Sequence, residues 1–204
     1  MPKTILEISG FSKSDINWQQ TALVLIDFQN EYVAGELALN QAAREAIGNA
    51  NKLLTHARAL SAPVFHVVHH GTSIGKLFNP TGAGAEIIPD ITVLEGEPVV
   101  VKGLPDAFAN TNLQQLIDQN QRDNLIVAGF MSHMCVSSTV RSSLEKGYTN
   151  FVCEDACYTR DLRGTDGQTI LSKTVHQVSM AALQDRFATV CRTAEIISGD
   201  VNSE

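Results

Sequence analysis

The 204-residue chain has no run of about 18 apolar residues, the length a membrane-spanning helix needs, so no membrane role is expected. Positive charge is in deficit: 15 Lys and Arg stand against 22 Asp and Glu, a formal net charge of −7. That balance argues against nucleic acid or an anionic membrane surface as the main partner, although a local basic spot remains compatible with it. Cysteine is sparse and confined to one half of the chain, at positions 135, 153, 157 and 191, which is not the density of a secreted disulfide scaffold. Cys153 and Cys157 are four apart rather than at the Cys-x-x-Cys redox spacing. Reduced thiols in a cytoplasmic protein are the expectation, and the opening Met1-Pro2-Lys3-Thr4 lacks the basic and apolar segments of a signal peptide. No internal repeat, low-complexity tract or linker divides the chain, which predicts one domain over residues 1–204.

What is present is a globular composition, 44% apolar and 18% charged, laid out as alternating strands and helices. Short apolar runs at 21–27, 63–69, 98–102, 124–129, 149–153 and 188–191 read as strands, the last at an edge. Helices are predicted over 38–60, near 111–120, over 132–146 with Gly147 closing it, and around 168–186. Their inward stripes are Ala43, Ile47, Ala50, Leu54 and Ala57; then Val136, Val140 and Leu144; then Leu171, Val175, Val178 and Ala182. Strands apolar on both faces and alternating with helices predict an α/β fold with a mainly parallel sheet covered on both sides. Residues 1–20 read as an N-terminal arm, and the Gly/Pro-rich connection 71–97 as a lid or pocket loop. Its Gly82-Ala-Gly84 segment lacks the Gly-Lys-Ser/Thr ending of a phosphate loop.

Three polar residues occupy telling positions. Asp27 ends the first strand, Lys102 ends the third, and Cys135 lies just beyond the fourth. In an open parallel sheet the ligand crevice lies outside the carboxyl ends of the strands, so all three project toward one edge. An acid, an ammonium and a thiol meeting there form a nucleophile with acid–base partners. With Ser132 as helix N-cap, Cys135 is the third helical residue, where free N–H groups and the helix dipole favour thiolate. Lys102 adds a full positive charge, Asp27 can take the thiol proton, and the amides from Met131 to Cys135 can hold an oxyanion. Taken singly, each residue has a plainer reading: a buried inert thiol, a strand-end turn former, a solvated lysine. Their joint placement weighs against it. Cys153, Cys157 and Cys191 read as structural thiols, and Arg141 as a solvated helix residue or a contact for an oligomer or anionic substrate.

The ordered set Leu25-Ile-Asp27-Phe-Gln29-Asn30, Lys102 after a Val run, and Gly129-Phe-Met-Ser-His-Met-Cys135-Val136 resembles the isochorismatase-like cysteine hydrolase superfamily. The likeness continues through Gly82 to Ile87, Pro89, Phe108, Thr111, Gly147-Tyr148 and Asp155-Ala156, and spans about residues 20–192. It implies a three-layer α/β/α sandwich, Rossmann-like, with a six-stranded sheet. It implies an Asp27-Lys102-Cys135 triad and a cis peptide at Phe130–Met131 that aims the Met131 and Cys135 amides at an oxyanion. It also implies that Tyr32, an aromatic five positions after the triad Asp, lines the pocket, and that the protein is a homo-oligomer, dimer or tetramer. His133, two residues before Cys135, is either a substrate contact or an exposed first-turn residue.

One branch of the superfamily, the nicotinamidases, binds a divalent metal through an Asp-x-His pair, which this chain lacks. His66, His69 and His70 are clustered, but His66 and His69 point to opposite strand faces. No metal or other cofactor is therefore expected. Members that cleave the vinyl ether of isochorismate can lack the cysteine, so its presence favours attack on a carbonyl. The expectation is a metal-independent cysteine hydrolase that opens a small amide-like C–N substrate through an acyl-enzyme. The alternatives are vinyl-ether hydrolysis and a catalytically silent binding protein of the same fold.

Overall fold

The computed structural model describes residues 2–10 and 15–199. Met1 and residues 11–14 of the expected arm, and residues 200–204 of the expected domain, lie outside the described residues. Six strands form the central sheet: β1 (Thr21–Ile26), β2 (Val64–His69), β3 (Val99–Lys102), β4 (Asn124–Phe130), β5 (Thr149–Tyr158) and, after a small hairpin, β8 (Thr189–Cys191). Their order is β3-β2-β1-β4-β5-β8, and every neighbouring pair is parallel. The hairpin strands β6 (Leu162–Arg163) and β7 (Thr169–Ile170) pair antiparallel outside this sheet.

Alternation along the central strands builds two cores. Leu23 and Leu25 of β1 face one side with Ile126, Phe151 and Cys191, beneath α2 (Gln41–Ala59) and α6 (Thr193–Ser198). Ala22, Val24 and Ile26 face the other, with Phe65 and Val67, beneath α3 (Leu113–Gln119), α4 (Ser137–Glu145) and α5 (Ser172–Arg186). The result is the expected three-layer α/β/α sandwich. Helix α2 starts where the Asn40 side chain accepts the Ala42 N–H at 3.0 Å, and it buries Ala43, Ile47, Ala50, Leu54 and Ala57 as its pattern predicts. The described arm residues include a four-residue helix, α1 (Ile5–Ile8), whose Ile5 N–H donates to Asp185 of α5 at 3.0 Å.

Several expectations need correction. β5 runs on past Cys153 to Tyr158, because a bulge lets Val127 pair with Val152 while Gly129 pairs with Cys157. The expected helix 132–146 is a wide turn, Ser132–Val136, followed by α4. Its stripe holds at Val136 and Val140, whereas Leu144 is half-buried and Ser143 is buried. In α5 the stripe 171-175-178-182 is wrong: Leu171 and Val178 are 61% and 63% exposed, and Ala182 is exposed too. The inward face holds Ser172, Val175, Met180 and Leu183, and His176 Nδ1 lies 3.1 Å from the Ser132 Oγ. β3 is an edge strand with Val99 and Val101 half exposed.

The chain moves from β1 outward through β2 and β3, then returns to β4 on the other flank of β1. This is the topological switch point of a doubly wound sheet, where the crevice opens. Gly129 sits there at φ +141, and a Cβ on it would meet the Ile26 carbonyl oxygen at 2.0 Å. Only glycine lets β4 pass β1 this closely. The 71–97 segment is packed rather than loose. Gln29 Nε2 donates to the carbonyls of Ala85 (2.7 Å) and His69 (2.9 Å), and Ile88 N–H donates to the Phe28 carbonyl at 3.0 Å.

Candidate active site

Asp27 follows β1 in the left-handed region at φ 55, a conformation aspartate tolerates better than most residues. Lys102 ends β3, its Cα paired with that of His69 on β2. Its long side chain reaches over β2 toward the end of β1. There Nζ lies 2.9 Å from Asp27 Oδ2, 3.2 Å from Cys135 Sγ and 3.3 Å from His69 Nδ1. Lys102 thus pairs ionically with Asp27 and hydrogen-bonds Cys135 and His69. Asp27 and Lys102 are no more than 1% exposed and Cys135 is 4% exposed, so the cluster is nearly dry.

That dryness sets the electrostatics. Burial pushes the Asp27 carboxyl above its ordinary value, and the Lys102 charge beside it opposes the shift only in part. Burial, then the neighbouring Asp27 charge, pushes the Cys135 thiol up to about 12, again against Lys102. This corrects the expectation of a helix-stabilised thiolate. Ser132 does not cap the turn: it is fully buried, its Oγ 3.1 Å from His176 Nδ1. The Met131 carbonyl accepts the Met134 N–H at 3.0 Å and the Val136 N–H at 3.3 Å, which widens the turn and points Cys135 at a carboxylate. Both shifts point the same way, toward a thiol that keeps its proton beside an aspartate of raised basicity. This arrangement suits proton transfer that accompanies attack rather than a standing thiolate. The Phe130–Met131 peptide is cis, as the resemblance implies.

A cavity of about 490 Å³ opens over Cys135. Tyr32 lines it, buried and set edge-on to Phe78 at 5.3 Å between ring centres. His69, Met131, Met134 and Arg160 line it as well. Burial and the Lys102 charge lower His69 to about 4, so the ring is neutral. With Nδ1 accepting from Lys102, the ring proton resides on Nε2. The loop from Gly71 to Phe78 closes on itself, the Gly71 N–H donating to the Phe78 carbonyl at 2.9 Å, and it forms one wall. The remainder of 71–97 is not among the lining residues.

His133 is not brought into this cavity: it is half-buried, and its Nδ1 is bonded to Thr159 Oγ1. Of the three clustered histidines, for which the sequence leaves a strand-end or pocket-wall place open, His69 reaches the pocket, whereas Phe78 and Arg160 are pocket residues that the sequence reading missed. The β2–β3 register that places His69 beside Lys102 is the signal that could have singled out that histidine. His66 points the other way and bonds Glu97 Oε2 at 2.9 Å, in a group completed by the bidentate Arg58–Glu97 pair. Among the described residues no three His, Cys, Asp or Glu side chains cluster at metal-binding geometry.

Residues 21–195 match the isochorismatase domain family. An uncharacterized isochorismatase family protein of Bacillus subtilis is 43% identical over 175 residues, covering 85% of this chain and 96% of its own length. The secreted isochorismatase effector Isc1 of Verticillium dahliae is 35% identical, covering 92% of this chain and 95% of its own. A streptothricin hydrolase of Streptomyces noursei is 32% identical over 86% of this chain and 63% of its own. Among solved structures, an isochorismatase from Pseudomonas putida superimposes with a TM-score of 0.91 at 40% identity, covering 96% of this chain and all of that one. The N-carbamoylsarcosine amidase of Thermoplasma acidophilum does so with a TM-score of 0.75 at 26% identity, over 87% and 98%.

Proposed function

The chain belongs to the isochorismatase family of hydrolases, and on that premise we propose that it is a metal-independent cysteine hydrolase of a small amide-like substrate. The observation that carries this reading is the Lys102 ammonium held between Asp27 and Cys135 beneath an apolar cavity. The name of one solved relative, an N-carbamoylsarcosine amidase, supports C–N hydrolysis as chemistry this fold can host. In the proposed sequence Asp27 takes the Cys135 proton as sulfur bonds to the substrate carbonyl carbon. The carbonyl oxygen becomes an oxyanion that the Met131 and Cys135 amides receive. The C–N bond then breaks, and Asp27 returns its proton to the departing ammonia or amine. Water, deprotonated by Asp27, attacks the thioester, releases the acid and restores the thiol. Lys102 keeps Asp27 anionic enough to act and balances the charge passing between acid and sulfur.

The test is ammonia release from a panel of small primary amides, carbamoyl compounds and ureides, with metal-chelated protein and the Cys135→Ala variant as control. Release that requires Cys135 supports the reading, and release that survives its loss rejects the covalent mechanism. A second reading draws on the raised Asp27: a carboxyl that holds a proton can deliver it to a vinyl-ether carbon. Pyruvate formed from isochorismate by Cys135→Ala would favour it. We further propose a cytoplasmic homo-oligomer, dimer or tetramer. Four free thiols and the exposed apolar faces of β3 and α5 support it, and sedimentation velocity tests the association.

A further inference from the structure

A helix start usually spends a nearby hydroxyl on its own free N–H groups. The stretch that carries Cys135 sends its hydroxyls elsewhere. Ser132 Oγ lies 3.1 Å from His176 Nδ1 on α5, Ser137 Oγ accepts Arg141 Nε at 3.2 Å, and Thr139 Oγ1 accepts the Ala107 N–H at 3.0 Å. Ser132 is the telling case, because it holds the place of an N-cap. A capping side chain takes the N–H two or three residues on, and three residues on is Cys135. The Met131 carbonyl accepts the N–H groups of Met134 and Val136 and passes over that of Cys135 between them. The Cys135 N–H is therefore the one a capping hydroxyl would claim, and it is also one of the two amides proposed to receive the oxyanion.

His176 stands in the way of that claim. Ser132 is fully buried, and among the described residues its hydroxyl meets the His176 ring. The ring packs against Tyr158, 5.5 Å between centres. Burial lowers His176 below its ordinary value, against the opposing effect of Glu154, so the ring is neutral. Nδ1 can then accept the hydroxyl proton, with the ring proton on Nε2. We propose that His176 is a positioning residue of the reaction: by drawing the Ser132 hydroxyl out to α5, it leaves the Cys135 N–H uncapped and open to the substrate oxyanion. The proposal rests on the covalent hydrolase reading and gives a part in it to a residue that is not among those lining the cavity. Loss of the ring strands a buried hydroxyl, and the remedy within its reach is to fold back onto its own turn. The Cys135 N–H is then consumed. Ser132→Ala, which removes the hydroxyl, releases it again. A plain tether between α5 and the turn behaves otherwise: cutting it from either side does the same damage, and cutting it from both repairs nothing.

The chain's four cysteines make this N–H directly visible. Protein isotopically labelled at the cysteine nitrogens alone gives four amide signals in a nuclear magnetic resonance spectrum, and Cys135→Ala identifies by its absence the one from Cys135. The proton shift and its temperature dependence report whether that N–H is bonded within the protein. His176→Leu is expected to move the signal downfield and to flatten its temperature dependence. Adding Ser132→Ala to His176→Leu is expected to reverse both. Ser132→Ala alone, and His176→Asn, whose amide oxygen stands near the place of Nδ1, should keep the wild-type temperature dependence. The signals of buried Cys153, Cys157 and Cys191 check that the fold survives. On any substrate turned over through Cys135, His176→Leu should lower kcat about 10²-fold with KM nearly unchanged, and Ser132→Ala added to it should recover most of that loss. A Cys135 signal unmoved by His176→Leu, or moved alike by His176→Leu and Ser132→Ala with no recovery in the pair, overturns the proposal. Should His176→Leu not fold, Ser132→Ala decides: an altered temperature dependence in that variant overturns the proposal, and an unaltered one supports it. The two readings fail separately. The expected spectra with a silent amide panel would remove the hydrolase reading, whereas Cys135-dependent turnover with an unmoved signal would remove only this inference.

Discussion

Strand β2 carries a carboxylate–cation–imidazole group on each of its faces. On one, Asp27, Lys102 and His69 meet at the cavity; on the other, Glu97, Arg58 and His66 meet at the end of α2. The ingredients are the same and the outcomes opposite. Glu97 accepts two Arg58 bonds at 2.7 Å, the Leu94 N–H at 3.0 Å and His66 at 2.9 Å, which together hold its carboxyl down to about 2. Asp27, more deeply buried and with fewer donors, is held up. The difference lies in solvation. Four donors replace the water that Glu97 loses, and its group fastens the 71–97 segment to the body of the protein. Asp27 is left undersolvated, and its group keeps reactivity in store.

The sharpest way to break this comparison starts at the cavity, with Asp27 and the thiol beside it. Cys135→Ala should lower turnover about 10⁴-fold or more while circular dichroism and melting temperature stay near wild type. A folded variant that retains turnover would make the cavity group another structural cluster. Asp27→Asn should cost about 10²–10⁴-fold in kcat by removing the proton acceptor, read by steady-state kinetics at saturating substrate.

Acidification should separate the two groups in order. Asp27 must be ionised to act as base and its pKa is raised, so kcat/KM should fall on a limb lying above the ordinary carboxylate range. Glu97 is depressed from 4.5 to about 2, so its contribution to stability is complete above pH 4.5 and is lost as pH falls toward 2. Activity profiles and urea unfolding across the same pH series should therefore show inactivation before that loss. Asp27 has the reverse sign, its contribution to stability declining as pH rises through its folded value. Glu97→Gln should cost about 2 kcal/mol in urea unfolding, with kcat nearly unchanged. An equal loss of activity in a stably folded Glu97→Gln would erase the distinction. The smallest effect is expected away from both groups, at Val178: Val178→Gln should change monomer stability by no more than about 0.5 kcal/mol, and only weakened association in sedimentation would give that exposed face a role.

Much of this was legible before any coordinates. The apolar runs marked the six central strands, and the carboxyl-end rule gathered Asp27, Lys102 and Cys135. What escaped depended on pairing. The bulge at Ala128 carries β5 beyond Cys153 and so delivers Arg160 to the cavity, but Glu154 and Asp155 read as a strand end. In α5 the expected stripe keeps only Val175 buried, while Leu171, Val178 and Ala182 are left in solvent and Met180 and Leu183 take their place. The charge state of Cys135 was misread because helix polarity is a local property, whereas the approach of Asp27 from β1 is not.

The Gly71–Phe78 loop supplies six of the fourteen residues around the cavity, and its two ends are joined by one backbone bond. Asp27, Lys102 and Cys135 all lie outside it. The pocket therefore has a detachable die set against a fixed press: a hexapeptide exchanged between those joined ends would recast the cavity wall while Asp27, Lys102 and Cys135 stay in place. Directed changes of specificity have a natural cassette here, and laboratory selection could vary it without disturbing the sheet.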